Sequence, residues 1–282
     1  MALVKAKELK GAQVRAFFED KKLLSFDADG TLAEPGKEIL PQLAEVLRHL
    51  VDYYFMLILS ARDFRNLESR VIRALEPDLY EIGERILIGT QQGGRLWAKH
   101  GERWQVVNEV VMPPTLVEAA QQLLVKAAKN MGVEVRQGTQ LFREFGAQLT
   151  FAPLGVDASA VEKAGFDPTG KKRLQVIKEF KRLAAGVGGQ VGAKLAGLEL
   201  RPGGRSSIDV SLKGINKAYG LQKALEFWGL EPQNAVHFGD EFTELGNDYP
   251  VYTAGFDCVW VMGPEETLGV LQELGSLGEG NL

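Results

Sequence analysis

Asp27 and Asp29 stand one residue apart in Asp27-Ala28-Asp29-Gly30-Thr31, directly after the apolar run Leu23-Leu24-Ser25-Phe26. Such a run, bounded by a turn signal, reads as a buried strand of a parallel sheet. Ligands of open α/β sheets bind outside the C-terminal ends of the strands, where these carboxylates fall. Side chains two apart on an extended chain point the same way, so both can reach one site if the strand geometry persists. Carboxylates that close repel each other, and a hard divalent cation relieves the repulsion. Gly30 permits a sharp turn that brings backbone N–H groups near an anion. The plainer alternative is a solvated hairpin turn at Asp29-Gly30.

Three further stretches fall at expected strand ends or helix starts. Ser60, in Ser60-Ala61-Arg62, could hold a phosphate oxygen through its hydroxyl and the nearby amides of a helix N-terminus. It could also be an ordinary N-cap, a role Asp63 fills equally well. Lys217 opens a helix after Lys213-Gly214-Ile215-Asn216, where the helix dipole disfavours a cation, so an anionic partner is expected. A solvated surface lysine is the alternative there, and Lys213 competes for the role. Asp240 follows the strand Asn234 to Phe238, uncharged if His237 is neutral, and is a natural metal ligand at its end. Asn247 and Asp248 could hold waters around such a metal or ligate it themselves, and a solvated acidic loop is again the alternative.

Asp27-Ala28-Asp29-Gly30-Thr31 resembles the signature of the haloacid dehalogenase superfamily, mostly phosphatases and phosphomutases. The resemblance implies that Asp27 is the nucleophile, forming an aspartyl phosphate, and that Asp29 is the general acid and base. It implies phosphate binding by Gly30, Thr31, Ser60, Ala61, Arg62 and Lys217, the last chosen over Lys213 because it fits the family's Gly-x-x-Lys pattern. Mg²⁺ is the expected cofactor, held by the side chains of Asp27 and Asp240 and the backbone carbonyl of Asp29, with Asp248 beside them.

The order of the motifs, with a long insertion before Lys217, resembles the subclass with a large α/β cap (type IIB). Within it, Phe238-Gly239-Asp240, Leu245-Gly246-Asn247-Asp248-Tyr249, Ser207-Ile208-Asp209-Val210 and Phe151-Ala152-Pro153-Leu154-Gly155 resemble eukaryotic-type phosphomannomutases. That likeness implies that Ser207 and Asp209 touch a sugar hydroxyl. The mutases carry arginines after the Pro-x-Gly turn to grip a second phosphate. Here the turn is followed by Val156, and Lys163 stands where another arginine is expected, leaving Arg62 and Arg143 to contribute. Ser60-Ala61-Arg62 resembles the Ser-Gly-Arg of sugar-phosphate phosphatases, including trehalose-phosphate phosphatases, more than the Gly-Gly-Ser of the mutases. The expected function is therefore a Mg²⁺-dependent phosphatase acting on a small phosphorylated metabolite, a sugar phosphate. A hexose phosphate mutase is the second reading and a non-catalytic sugar-phosphate binding protein the third. Mutases of this type pair through their caps, so a homodimer through the cap is one expectation for a chain whose oligomeric state is otherwise open.

These residues need a scaffold, and the sequence supplies one. Apolar strands at Tyr53 to Leu59 and Ile86 to Gly89 alternate with helices carrying Leu43, Val46, Leu47 and Leu50, then Leu67, Val71, Ile72 and Leu75 up to Pro77. This is the pattern of a doubly wound parallel sheet. From Gln91 onward, alternating segments such as Arg95 to Ala98 and Ala147 to Phe151, with helices at Pro114 to Asn130 and Lys171 to Ala185, predict an inserted α+β domain with an antiparallel sheet. The doubly wound pattern resumes with a helix at Ile215 to Trp228, strands at Asn234 to Phe238 and Asp257 to Val261, and a helix at Glu265 to Leu274. The reading is an α/β, Rossmann-like core over residues 1–90 and 209–282 with a cap at 91–208. The Gly-rich tail Gly275 to Leu282 is expected to fray.

The 282 residues are 45% hydrophobic and 25% charged, an ordinary globular composition. A net charge of −4 argues against nucleic acid as a partner. No apolar run reaches the length of a membrane span, and the charged N-terminus lacks a signal-peptide core. Cys258 alone cannot form an intrachain disulfide, which is compatible with a cytoplasmic location. The three histidines show no zinc-type spacing.

Overall fold

The computed structural model describes residues 1–75, 83–144 and 146–278. The expected helix stop at Pro77 and residues 279–282 of the tail lie outside the described residues. The chain divides into two compact units, Met1–Glu109 with Asn216–Leu282, and Val110–Ile215.

The first unit begins with a short strand, β1 (Leu3–Lys5), and helix α1 (Ala12–Phe18). Then come β2 (Leu23–Asp27), α2 (Pro41–Leu50) and β3 (Phe55–Leu59). Helix α3 starts at Phe64–Leu67 and continues through a π turn at Glu68–Ile72 to Arg73–Leu75. Strand β4 (Ile86–Thr90) leads into a hairpin of β5 (Arg95–His100) and β6 (Arg103–Glu109). In the second unit lie α4 (Pro114–Asn130), β7 (Phe142–Glu144), β8 (Gln148–Phe151), α5 (Ala160–Phe166), α6 (Lys171–Ala185), α7 (Gly189–Ala196), β9 (Leu198–Gly203) and β10 (Ser207–Leu212). The chain returns to the first unit as α8 (Lys217–Trp228), β11 (Ala235–Gly239), α9 (Tyr249–Thr253), β12 (Asp257–Trp260) and α10 (Pro264–Gly278). The last helix runs straight through Gly275, so the expected fraying does not begin there.

Among the described residues, the first unit forms an eight-stranded sheet in the order β1-β12-β11-β2-β3-β4-β5-β6. From β1 to β4 all pairings are parallel. Every residue of β2, β4 and β11 is buried, which is why these strands read as unbroken runs rather than alternations. Alternate side chains still go to different layers. Leu24 and Phe26 of β2 pack with α2 and α10 residues on one face, while Leu23 packs with Leu221 and Leu225 of α8 on the other. Strand order runs outward in both directions from the β2–β11 pair. That pair is the topological switch point, where open α/β sheets bind their ligands.

Two features differ from the sequence reading. Arg95 to Ala98 belongs to β5, which extends the large sheet antiparallel to β4 rather than joining the insertion. Alternation marks an antiparallel segment but not the sheet it joins. The insertion accordingly spans 110–215 as a compact unit, where the sequence suggested 91–208. In addition, the sequence reading placed no strand at Leu3–Lys5, where β1 pairs with β12.

The second unit carries a four-stranded antiparallel sheet, β7-β8-β10-β9. Leu149, Phe151, Ile208 and Val210 pack against Leu124 of α4 and Phe180 of α6. The period-2 alternation turns Arg143, Thr150, Asp209 and Arg201 to the opposite face, where they stand in one cross-strand row. Among the described residues, no helix is long and apolar enough to cross a membrane.

Candidate active site

Strands β2 and β11 end side by side, and their ends carry the acidic residues. Asp27 closes β2 and is almost fully buried. Asp240 follows β11, and Asp248 is fully buried at the start of α9. One carboxylate oxygen from each of these three lies within 4.8 Å of the others. Lys217, the first residue of α8, is fully buried among them. Its ammonium donates to Asp27 Oδ1 at 2.5 Å, Asn247 Oδ1 at 2.5 Å and Asp248 Oδ1 at 2.6 Å. Asn216 caps α8 by accepting from the N–H groups of Ala218 and Tyr219, which fixes where the helix starts. Lys213, the competing lysine, is exposed, whereas Lys217 is fully buried.

Three carboxylates beside one ammonium would carry two net negative charges in a buried space. The protonation equilibria show the strain. Burial pushes Asp27 well up, Lys217 opposes, and Asp248 and Asp240 push it further up. Burial and the charge of Asp248 raise Asp240 to about 7. Burial works against Asp248 as well, but Lys217 and His237 outweigh it and hold it low. Lys217 is raised by Asp248 and Asp27 despite its burial. Asp240 Oδ1 is buried without a hydrogen-bond partner among the described residues. An oxygen-only donor set, an excess of two negative charges and an orphaned carboxylate oxygen all fit a hard divalent cation.

Two glycines leave room for these carboxylates. Gly30 has φ +90°, and a Cβ there would run into the Asp240 carboxylate. A Cβ on Gly239 would occupy the place of the Asp248 carboxylate. Thr31 is fully buried, and its hydroxyl has no partner among the described residues. Ser60 is buried at the end of β3, its Oγ accepting from the N–H of Arg62. Asp63 caps α3 by accepting from Asn66 N, so Ser60 is not needed as a cap. Ala61 is half-buried in the turn between Ser60 and Arg62.

The extended geometry that would point Asp29 the same way as Asp27 does not persist past the end of β2. The strand ends at Asp27, and the chain folds back through bonds from Leu32 N and Ala33 N to Ala28 O. The Asp29 carboxylate meets Arg62 at 3.3 Å and forms an ion pair with Arg70 at 2.8 Å. Burial works to raise its pKa, but the two guanidinium groups outweigh it and hold it below the usual carboxylate value. Its carboxylate is thus outside the Asp27–Asp240–Asp248 group.

Arg143, Lys163, Ser207 and Asp209 all belong to the second unit. Arg143 is exposed in the row with Asp209, whose Oδ1 accepts from Thr150 at 2.7 Å. Ser207 donates to the Gly203 carbonyl and so ties β9 to β10. Lys163 stands apart on α5 and donates to the Val156 carbonyl at 3.0 Å. The sequence reading overlooked Arg70, Ser25 and His237. Arg70 sits among apolar helix positions, and Ser25 and His237 sit inside apolar strands, so periodicity absorbed all three.

A large parallel sheet with an inserted antiparallel unit, and a buried aspartate–lysine centre at the switch point, define an enzyme of the haloacid dehalogenase superfamily. Residues 96–276 match the family described as eukaryotic phosphomannomutase, and the chain belongs to that family. A phosphomannomutase of Arabidopsis thaliana is 27% identical over 88% of this chain and 94% of its own length. One of Solanum lycopersicum is 27% identical over 86% of this chain and 90% of its own. Among solved structures, a C-terminally truncated IMP-nucleotidase of Plasmodium falciparum superposes with a TM-score of 0.71 at 18% identity, covering 94% of this chain and 74% of that one. Trehalose-6-phosphate phosphatase of Aspergillus fumigatus gives 0.58 at 16% identity, covering 98% and 99%.

Proposed function

We propose that this enzyme is a phosphatase of small phosphorylated metabolites, with a sugar phosphate as substrate and Mg²⁺ as cofactor. Asp27 attacks the phosphorus, an aspartyl P–O bond forms, and the bond to the leaving oxygen breaks. Asp29 gives that oxygen its proton, then takes one from an incoming water that cleaves the aspartyl phosphate and releases inorganic phosphate. For this, the hold of Arg70 and Arg62 on the Asp29 carboxylate must loosen. A substrate phosphate that draws Arg62 to itself would remove one of the two guanidinium groups and let the Asp29 pKa climb. Lys217 offsets the repulsion between the Asp27 carboxylate and the anionic phosphate. Mg²⁺, held by Asp27, Asp240 and Asp248, would supply the further positive charge that the buried acidic group calls for.

The observation that carries hydrolysis is at the cap turn. Val156 is buried, and the nearby Lys163 is bound to its carbonyl. Neither offers the bidentate grip on a second phosphate that an arginine gives. A mutase must hold its bisphosphate through reorientation. Losing one charged hydrogen bond to phosphate, worth about 1.5–3 kcal/mol, lets water compete for the aspartyl phosphate. The second reading, a hexose phosphate mutase, is favoured by membership of the phosphomannomutase family. The intact Asp27, Lys217 and Asp240 speak against a protein that only binds.

Mannose 1-phosphate and glucose 1-phosphate separate the two enzymatic readings. Release of inorganic phosphate and formation of the 6-phosphate are measured together, with and without Mg²⁺ and a hexose 1,6-bisphosphate. Phosphate release is expected to be the faster. Isomerisation faster by about tenfold, or about 1.4 kcal/mol in barrier, would select the mutase.

A further inference from the structure

Ser25 and His237 have no part in the chemistry above, yet both are fully enclosed beside it. They are register partners on the adjacent strands β2 and β11. Ser25 Oγ lies 2.9 Å from His237 Nδ1, and His237 Nε2 lies 2.9 Å from Asp248 Oδ1. The same Asp248 oxygen accepts from Lys217, which reaches Asp27. Their strand neighbours are Leu24, Phe26, Val236 and Phe238, all buried and apolar. A hydroxyl and an imidazole in such company are unfavourable unless each finds a partner. Here both do, and the partner at the end of the line is the acidic centre.

The bonds run in one direction. Asp248 sits against the Lys217 ammonium and is ionised, so its oxygens can only accept. His237 therefore carries its proton on Nε2, its Nδ1 can only accept, and the Ser25 hydroxyl donates. The Asp248 carboxylate is then fixed by His237 and Lys217 at Oδ1 and by the Glu241 N–H at Oδ2, 3.0 Å away.

We infer that Ser25 and His237 are positioning residues, orienting the Asp248 carboxylate so that it holds the Lys217 ammonium against Asp27. This rests on the reading that Asp27 and Lys217 carry out the reaction. A lysine ammonium is a point charge on a flexible stem, and it keeps one place only if its acceptors are fixed. One of its acceptors, Asp27, loses its charge on forming the aspartyl phosphate. Among the described residues, Asp248 is then the one charged acceptor left beside the neutral Asn247 Oδ1 to keep Lys217 in place through the second half-reaction. Its own orientation depends on the donor that His237 supplies.

Three substitutions of His237 separate orientation from packing. Gln places a side-chain N–H where Nε2 stands. Asn falls short of Asp248, and Phe fills the volume with no donor. With p-nitrophenyl phosphate as probe, and thermal unfolding to show that each variant is folded, His237→Phe and His237→Asn are expected to lower kcat about 10- to 100-fold, with KM little changed. His237→Gln should recover most of that loss, and Ser25→Ala should lower kcat less than His237→Phe does. If all three His237 variants match the unaltered protein, or all three fall equally, the inference is overturned. Ring ¹⁵N NMR of the unaltered protein gives an independent reading, with protonated Nε2 and bare Nδ1 expected. The opposite tautomer overturns the inference whatever the activity. Lack of turnover by the unaltered protein on any phosphomonoester counts instead against the proposed phosphatase.

Discussion

Arg70 reaches back from α3 to place Nη2 2.8 Å from Asp29 Oδ1; the same nitrogen donates to the Glu34 carbonyl, and Nε donates to the Lys37 carbonyl. One guanidinium thus ties the loop after β2 to the residue expected to move protons. The Asp29 pKa is lower in the folded protein than its ordinary 3.8. Its contribution to stability is therefore present above that value and is lost as pH falls through the folded pKa. Arg70→Met removes the charge and keeps most of the stem. The variant should be less stable than the parent at neutral pH, and the difference in melting temperature should shrink as pH falls below 3.8. A gap that stays constant across that range would show that Arg70 acts only through its carbonyl bonds.

Asp27→Asn keeps the shape of the side chain and removes the nucleophile. Turnover should fall by about three orders of magnitude or more. Beryllium fluoride should trap on Asp27 in the parent, and peptide mapping that finds it elsewhere would reassign the nucleophile.

The Asp240 carboxyl, raised to about 7 by burial and by Asp248, couples metal binding to pH. Its folded pKa lies above its ordinary 3.8, so the metal-free protein holds this proton more tightly than the unfolded chain. That contribution is present at low pH and is lost as pH rises toward 7. Mg²⁺ must displace the same proton. Its affinity should weaken as pH drops below 7, by about tenfold per unit for one proton released. Calorimetric titration at several pH values tests this. Equal affinity at about pH 5.5 and pH 8 would contradict it.

Gly30→Ala tests how tightly the site is built. An L-residue in the left-handed region costs about 1–2 kcal/mol, and here its Cβ would also displace the Asp240 carboxylate. The expected result is a lower melting temperature together with weaker Mg²⁺ binding. Loss of stability with unchanged Mg²⁺ affinity would mean that Asp240 is not a ligand.

Much of this arrangement was legible in the residues themselves. Pro114 to Asn130 and Lys171 to Ala185 read correctly as helices, because each carries a clean apolar stripe between start and stop signals. Asp27 stood out as a charge closing an apolar run, whereas Lys217 was separated from Lys213 by its fit to the Gly-x-x-Lys pattern. The Asp29 contacts were not, since Arg70 lies 41 positions on and its own neighbours, Val71 and Ile72, announce only a helix. Nothing marks Gln91 and Gln92 as left-handed, with φ 56° and 60°, because that conformation usually announces itself through glycine. The three-residue β1 is too short to show a period.

The pairing of β2 with β11 joins residues more than two hundred positions apart, such as Ser25 and His237. The strands of the inserted unit are all contained within residues 110–215. During synthesis, therefore, the insertion can finish its own sheet while β2, β3 and β4 still wait for their central neighbour. Such distant strand pairing is slow, because the loop must close before the contact rewards it. A prefolded insertion shortens the effective length of that loop. Until Gly239 has left the ribosome, the nascent chain holds an unpaired, mostly apolar strand edge at β2, the segment on which a chaperone would act.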